Sequence, residues 1–228
     1  MNYVVRMCDL SFDQKLFETF HCGTALDELL SSHQGLPRGV NYMIIGDPGV
    51  GKTTIILDML ANMQKRYPLA RILFISAEMN EIDLTVYVER YPKFQTLPIL
   101  FVESDFDNQI HNWDVIKNVV EQGWDIIKDE ENIRMKEAES WLLQLIKKQN
   151  KGQNERHLNC TFLTIQQVTK SGNFVGSNRL KHSITAMMEL RLENPKNIYS
   201  DRFITFSKHR RGDVGVKLFY NLSSTGDV

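Results

Sequence analysis

Gly46-Asp47-Pro48-Gly49-Val50-Gly51-Lys52-Thr53, followed by Thr54, is the stretch on which the fold turns. It reads G-x-x-x-x-G-K-T, the P-loop pattern. The residues before it, Asn41-Tyr42-Met43-Ile44-Ile45, form a short apolar run suited to a buried strand. Those after it place Ile56, Leu60 and Met63 at helical spacing. Strand, glycine loop and helix are the setting this pattern needs. Gly46, Gly49 and Gly51 let backbone N–H groups converge on phosphate oxygens without interference from a Cβ. The helix N-terminus adds unpaired N–H groups and the positive end of its dipole. Lys52 is placed to reach β- and γ-phosphates, and the Thr53 hydroxyl to sit on Mg²⁺. A chance glycine turn would not need the flanking strand and helix.

Outward from this point the chain alternates strands and helices. Downstream, Tyr67-Pro68 stops the helix, and Arg71 to Glu78 is an apolar run that ends on an acid. A carboxylate at such a strand end either polarises an attacking water or caps the helix that follows from Asn80 or Glu81. Pro98 to Glu103 is a further strand run, and Asp105 to Asn108 read as the cap of a helix through Gln122. Gly123-Trp124-Asp125-Ile126-Ile127 begins like a strand and stops at once. Ala138, Trp141, Leu142, Leu145 and Ile146 then mark an amphipathic helix. Leu158 to Ile165 is a strand run that ends in Gln166-Gln167. A Gly- and Ser-broken loop follows through Arg179. Ile184–Glu193, Arg202–Ser207 and Val214–Leu222 are three closely spaced strand segments, as in antiparallel additions to a sheet.

Upstream, Gly35-Leu36-Pro37-Arg38-Gly39 is a turn into the P-loop strand, and Thr24 is the expected N-cap of a helix through Leu30. Phe12, Leu16, Phe17 and Phe20 are spaced as one helix face. Residues 1–20 therefore read as a packed N-terminal helix, with an arm docked on a neighbouring subunit as the alternative.

Composition narrows the class. The 228 residues are 42% hydrophobic and 24% charged, enough for one substantial core. A net charge of −1 announces no global nucleic-acid field, so any such surface is a local patch. Cys8, Cys22 and Cys160 are too far apart for a C-x-x-C site, which suits a reduced, cytoplasmic setting. No apolar run approaches the ~18 residues that span a membrane.

Several of these segments together resemble the RecA-like ATPase core, most closely the bacterial RadA/Sms branch with its DnaB-type helicase relatives. The resemblance covers residues 19 to 222. Gly23 to Leu29 is similar to the G-x-x-x-L-D-x-x-L lead-in, and Gly46 to Thr54 to the G-D-P-G-x-G-K-[ST]-T loop. Phe74 to Met79 resembles the strand whose terminal glutamate activates water, which makes Glu78 the implied base. Gln167-Val168-Thr169-Lys170-Ser171-Gly172 is similar to H-V-T-K-E-G, so Gln167 is the implied γ-phosphate sensor, with Gln166 the alternative. Asn178 to His182 resembles the segment that leads into the next strand. Lys208-His209-Arg210-Arg211-Gly212 is similar to K-N-R-F-G, which gives Lys208 and Arg210 a role at a neighbour's nucleotide or DNA; Arg211 stands where that motif has an aromatic residue.

The resemblance implies an α/β fold with a mainly parallel sheet flanked by helices and antiparallel strands at the C-terminal end. It divides the chain into an N-terminal segment, 1–20, and one ATPase domain, 21–228. It implies ATP and Mg²⁺, a homo-oligomer (ring or filament, with a hexamer expected) and single-stranded DNA as partner. Lys170, Phe174, Arg179 and Lys181, together with His182, then form a cationic Gly-rich loop with one aromatic, suited to a single-stranded backbone and a stacked base. A flexible surface loop would have the same composition.

The flanking zinc ribbon and protease-like domain of RadA proteins have no counterpart in the sequence. The apolar strand that should end in a metal-binding acid is reduced to Asp125-Ile126-Ile127, too short to cross a sheet at ~3.3 Å per residue. Either that strand is lost, or residues are missing from the sequence near Ile127. Three functions remain: a DNA-processing ATPase of recombination or replication, a nucleotide-gated assembly or regulatory protein, and a short phage-type recombination accessory ATPase.

Overall fold

The computed structural model describes residues 4, 6–9, 14–76, 79–101, 104–105, 110–111, 135–150, 159–168, 178–224 and 226. The expected N-terminal helix does not form there. Met7–Asp9 and Gln14–Phe17 are short 3-10 turns, and β1 (Thr19–Phe20) pairs antiparallel with β2 (Leu36–Pro37). Tertiary contacts outweigh the helical spacing. The Phe20 ring meets Tyr67 edge-on at 5.2 Å and lies under the Arg38 guanidinium at 5.1 Å. Between β1 and β2 lies α1 (Leu26–Leu30). Thr24 Oγ1 accepts from the Leu26 N–H at 3.3 Å, and the Asp27 carboxylate accepts from the N–H groups of Cys22 and Gly23 at 2.8 and 2.7 Å.

β3 (Asn41–Gly46) leads into α2 (Lys52–Arg66), then β4 (Phe74–Ser76) and α3 (Glu81–Arg90). Asn80 caps α3 by accepting from the Asp83 N–H at 2.9 Å. β5 (Ile99–Phe101) runs parallel to β4. The expected helix after Asp105 is absent at its start: β6 (Ser104–Asp105) and β7 (Ile110–His111) form an antiparallel hairpin, because local backbone pairing satisfies those groups first. Residues 112–134, with Asp125, Ile126 and Ile127, lie outside the described residues. The remaining elements are α4 (Met135–Asn150), β8 (Phe162–Gln167), α5 (Asn178–Ser183), β9 (Ala186–Leu192), β10 (Arg202–His209) and β11 (Leu218–Tyr220). The last strand is shorter than the apolar run suggests, since 214–217 stay outside the ladder.

The main sheet runs β11-β10-β9-β3-β8. β3 is parallel to both neighbours, β8 and β9, whereas β9, β10 and β11 are antiparallel. The architecture is the expected α/β sheet with parallel strands at the P-loop and antiparallel ones at the end. β4 and β5 form a separate parallel pair, and among the described residues no strand bridges β8 and β4. β3 is buried along its whole length and splits its side chains by the period of two. Tyr42 and Ile44 join a core with Ile55, Met59, Met188 and Phe206. Met43 and Ile45 join Leu143, Ile184 and Met187 on the opposite face. Burying each such side chain contributes roughly 1.5–3 kcal/mol. No described helix is long and apolar enough to cross a membrane.

Candidate functional site

The P-loop is built by the joint between β3 and α2. Gly51 takes φ +95° at the N-cap of α2, a conformation that opens the loop so that Lys52 begins the helix. Gly49 has φ +76° and nothing within 4 Å of where a Cβ would stand, so its face is open. Lys52 is 8% exposed, and its Nζ donates to the carbonyls of Gly46 and Asp47 at 2.8 and 2.9 Å. The ammonium is thus folded back over the mouth of the loop, where an anion would meet it. Pro48 is exposed, Val50 buried and Thr53 half-buried at the cavity wall. Thr54 is buried, and its hydroxyl shares a 2.5 Å hydrogen bond with the Tyr87 hydroxyl. Asp47 has the Arg191 guanidinium 4.0 Å away, and Arg191 also donates to Glu189 at 2.9 Å.

Around this loop lies a cavity of about 700 Å³, within the size range of ligand sites. Pro48, Gly49 and Gly51 to Thr54 line it from the loop and the start of α2. Tyr87, Arg90 and Tyr91 line it from α3 and its C-terminus, and Arg202, Leu222, Ser223 and Ser224 from the last strands and the segment after them. The free N–H groups at the start of α2, Lys52 and the Thr53 hydroxyl are the donor set a phosphate–Mg²⁺ group requires. Among the described residues no cluster of three or more His, Cys, Asp or Glu is placed to hold a metal.

The remaining expected residues fall at different places. Glu78 lies outside the described residues; Ser76, two positions before it, ends β4. Gln167 ends β8 and is the register partner of Gly46, so the sheet sets its backbone beside the start of the P-loop. Lys208 and Arg210 are turned onto α5 of their own chain. Lys208 Nζ donates to the carbonyls of Lys181 and His182 at 2.6 and 3.2 Å, and Arg210 donates to His182 at 2.8 Å. These are carbonyls of the last helical turn, which have no intrahelical partner and attract cations. Burial, with Arg210 and Lys181 nearby, lowers the Lys208 pKa. Lys170 and Phe174 lie outside the described residues. Arg179 is in the first turn of α5, and Lys181 is exposed near its end.

Sequence reading missed Tyr87, Tyr91, Arg202 and the 222–224 segment. Tyr87 and Tyr91 had a legible signal in their i, i+4 spacing, which places both rings on one side of α3. Arg202 had none, being one cation at the start of a strand. Tyr220 was read only as strand, yet its hydroxyl donates to the Val50 carbonyl at 2.6 Å and ties β11 to the P-loop.

No family model matches the sequence, and no curated protein matches it. Solved structures do. The chain is similar to the flagellar accessory protein FlaH from Methanocaldococcus jannaschii, at 12% identity over 90% of this chain and 96% of that one, with a TM-score of 0.61. It is similar to the KaiC-like protein PH0186 from Pyrococcus horikoshii OT3, at 17% identity over 92% and 96%, with a TM-score of 0.60. It is similar to the RadB recombinase, at 20% identity over 92% and 100%, with a TM-score of 0.62. At such identities the likeness is one of fold, and the fold is RecA-like.

Proposed function

We propose that this chain is an ATPase that binds Mg²⁺–ATP at its P-loop, completes its site between subunits and acts on DNA. The observation that carries the reading is Lys52, buried at the start of α2 and folded onto the Gly46 and Asp47 carbonyls. On binding, its ammonium exchanges those carbonyls for β- and γ-phosphate oxygens, while the α2 N–H groups hold the rest of the phosphate chain. Mg²⁺ on Thr53 supplies neutralisation of the charge that builds on the transferred group. Glu78 orients the attacking water, and Gln167, beside Gly46 in register, reports the γ-phosphate to the segment that leads into α5. Lys208 and Arg210 act on the site of the neighbouring subunit in a ring or filament, which makes turnover depend on assembly. The segment from Lys170 into α5 carries Lys170, Phe174, Arg179 and Lys181 towards single-stranded DNA. The likeness to a structure named RadB recombinase supports the recombination side of this reading.

A second reading is a nucleotide-gated assembly or regulatory protein that does not act on DNA. The observation in its favour is that Lys208 and Arg210 already have carbonyl partners in their own chain. The likeness to structures named as a flagellar accessory protein and a KaiC-like protein fits it as well.

One experiment tests both. ATP turnover is measured with and without single-stranded DNA, and oligomer size is measured in each nucleotide state. Wild type should hydrolyse ATP, and Lys52→Ala should not; retained turnover in that variant refutes the site. Stimulation by DNA that weakens with salt supports the first reading. Nucleotide-dependent assembly with neither DNA binding nor stimulation supports the second.

A further inference from the structure

Lys208 and Arg210 stand at the opposite end of the sheet from the P-loop of their own chain. In register, Lys208 and His209 of β10 face Met187 and Ala186 of β9, and those face Met43 and Tyr42 of β3. The P-loop leaves β3 after Gly46, three to four residues further on, roughly 10–13 Å along a strand at ~3.3 Å per residue. β10 is antiparallel to β9, so Arg210 lies further away still. A nucleotide that meets this pair of cations belongs to another copy of the chain.

Within one chain the pair already has partners. Lys208 Nζ donates to the Lys181 and His182 carbonyls at 2.6 and 3.2 Å, and Arg210 donates to the His182 carbonyl at 2.8 Å. These bonds close the last turn of α5, whose carbonyls the helix itself leaves unpaired. The backbone on both sides is fixed. Arg210 N–H donates to the Thr185 carbonyl at 3.1 Å, Thr185 N–H to the Asn41 carbonyl at 2.8 Å, and Ser32 N–H to the Arg211 carbonyl at 2.8 Å. Ile184, between α5 and β9, is fully buried. Only the two side chains are left to change partner. A carbonyl is a neutral acceptor, and hydrogen bonds to an ionised oxygen are about twice as strong. Water gives the pair no comparable reason to leave α5, whereas a phosphate does.

We propose that α5 and the nucleotide of a neighbouring subunit compete for Lys208 and Arg210: the pair latches the last turn of α5 in the free chain, and assembly around bound nucleotide draws it away and opens that turn. The inference rests on the nucleotide-binding, intersubunit reading given above and adds a regulation to it. The helix released carries Arg179 and Lys181, so the element assigned to DNA is held in free subunits and loosened in assembled ones.

Hydrogen–deuterium exchange of the full chain at residues 181–183, with β3 as reference, tests the latch. Wild type is measured without nucleotide and with Mg²⁺–AMPPNP, at protein concentrations below and above assembly; nucleotide binding and oligomer size are measured on the same samples. The Lys208→Met, Arg210→Met double variant, measured unassembled, gives the rate of the open turn, and an unchanged β3 rate shows that it folds. Free wild type should exchange slowly at 181–183 with or without nucleotide. Assembled wild type should exchange roughly tenfold or more faster there, near the rate of the free double variant. Assembled wild type that keeps the slow rate overturns the proposal, as does a folded double variant no faster than free wild type, or acceleration by nucleotide in unassembled wild type. Wild type that neither binds the nucleotide nor assembles overturns the intersubunit ATPase reading instead.

Discussion

Gly51 shows how little room the P-loop has. Its φ of +95° is one that side chains rarely adopt, and Leu222 occupies the space a Cβ would need. Gly51→Ala should therefore lower stability by about 1–3 kcal/mol, through backbone strain and displacement of Leu222; urea unfolding of the two proteins measures it. His209 gives a pH dependence. Its Nε2 lies 3.2 Å from the Leu29 and Leu30 carbonyls, and the ring packs against Tyr42 and Phe206. Burial lowers its pKa below the ordinary 6.5, although the two carbonyls and Asp213 pull the other way. Protonation is then easier in the unfolded chain, so stability is full above pH 6.5 and falls as pH drops through that value towards the lower folded one. Melting temperatures from pH 7.5 to 5 should fall, and His209→Gln should flatten part of the slope. At this scale Lys52 and Thr53 were legible in the sequence because a contiguous motif fixes them. His209 was not, because its partners Leu29 and Leu30 lie far away in the chain, and Arg202 was not, being one cation at the start of a strand.

Among elements, β3 was the plainest to read, and it is buried on both faces. Its alternate residues feed two cores, with Ile44 on one face and Met43 on the other. Ile44→Ala should cost about 2–5 kcal/mol, seen as a lower unfolding midpoint at unchanged denaturant slope. α5 depends on β10 for the closing of its last turn. Replacing both Lys208 and Arg210 by Met removes the donors to the Lys181 and His182 carbonyls. Amide exchange in residues 181–185 should accelerate, while that of β3 stays unchanged. The N-terminal segment was misread for a physical reason. Four aromatic and apolar residues at helical spacing carry little weight when Phe20 finds Tyr67 and Arg38 across the chain. The start of the region after Asp105 was misread likewise, since its hairpin is a matter of backbone pairing that side-chain period does not encode.

For the molecule as a whole, the alternation of strands and helices was enough to foresee a parallel sheet with antiparallel strands appended, because apolar period and turn residues are local. The composition of the cavity was not foreseeable. One wall comes from α3, another from β10 and residues 222–224, and only the folded sheet brings them to the P-loop. The hydrogen bond from Tyr220 to Val50 has a consequence in time. It joins residues 170 positions apart, and contacts of such separation carry a high closure entropy and form slowly. A chain still emerging from synthesis holds strand, glycine loop and helix well before it holds β11. Refolding followed by protein fluorescence and by nucleotide binding should show the binding signal recovering in the final phase. On the proposed function, nucleotide stabilises only molecules in which β11 has docked, and so acts as a check that this strand is in place.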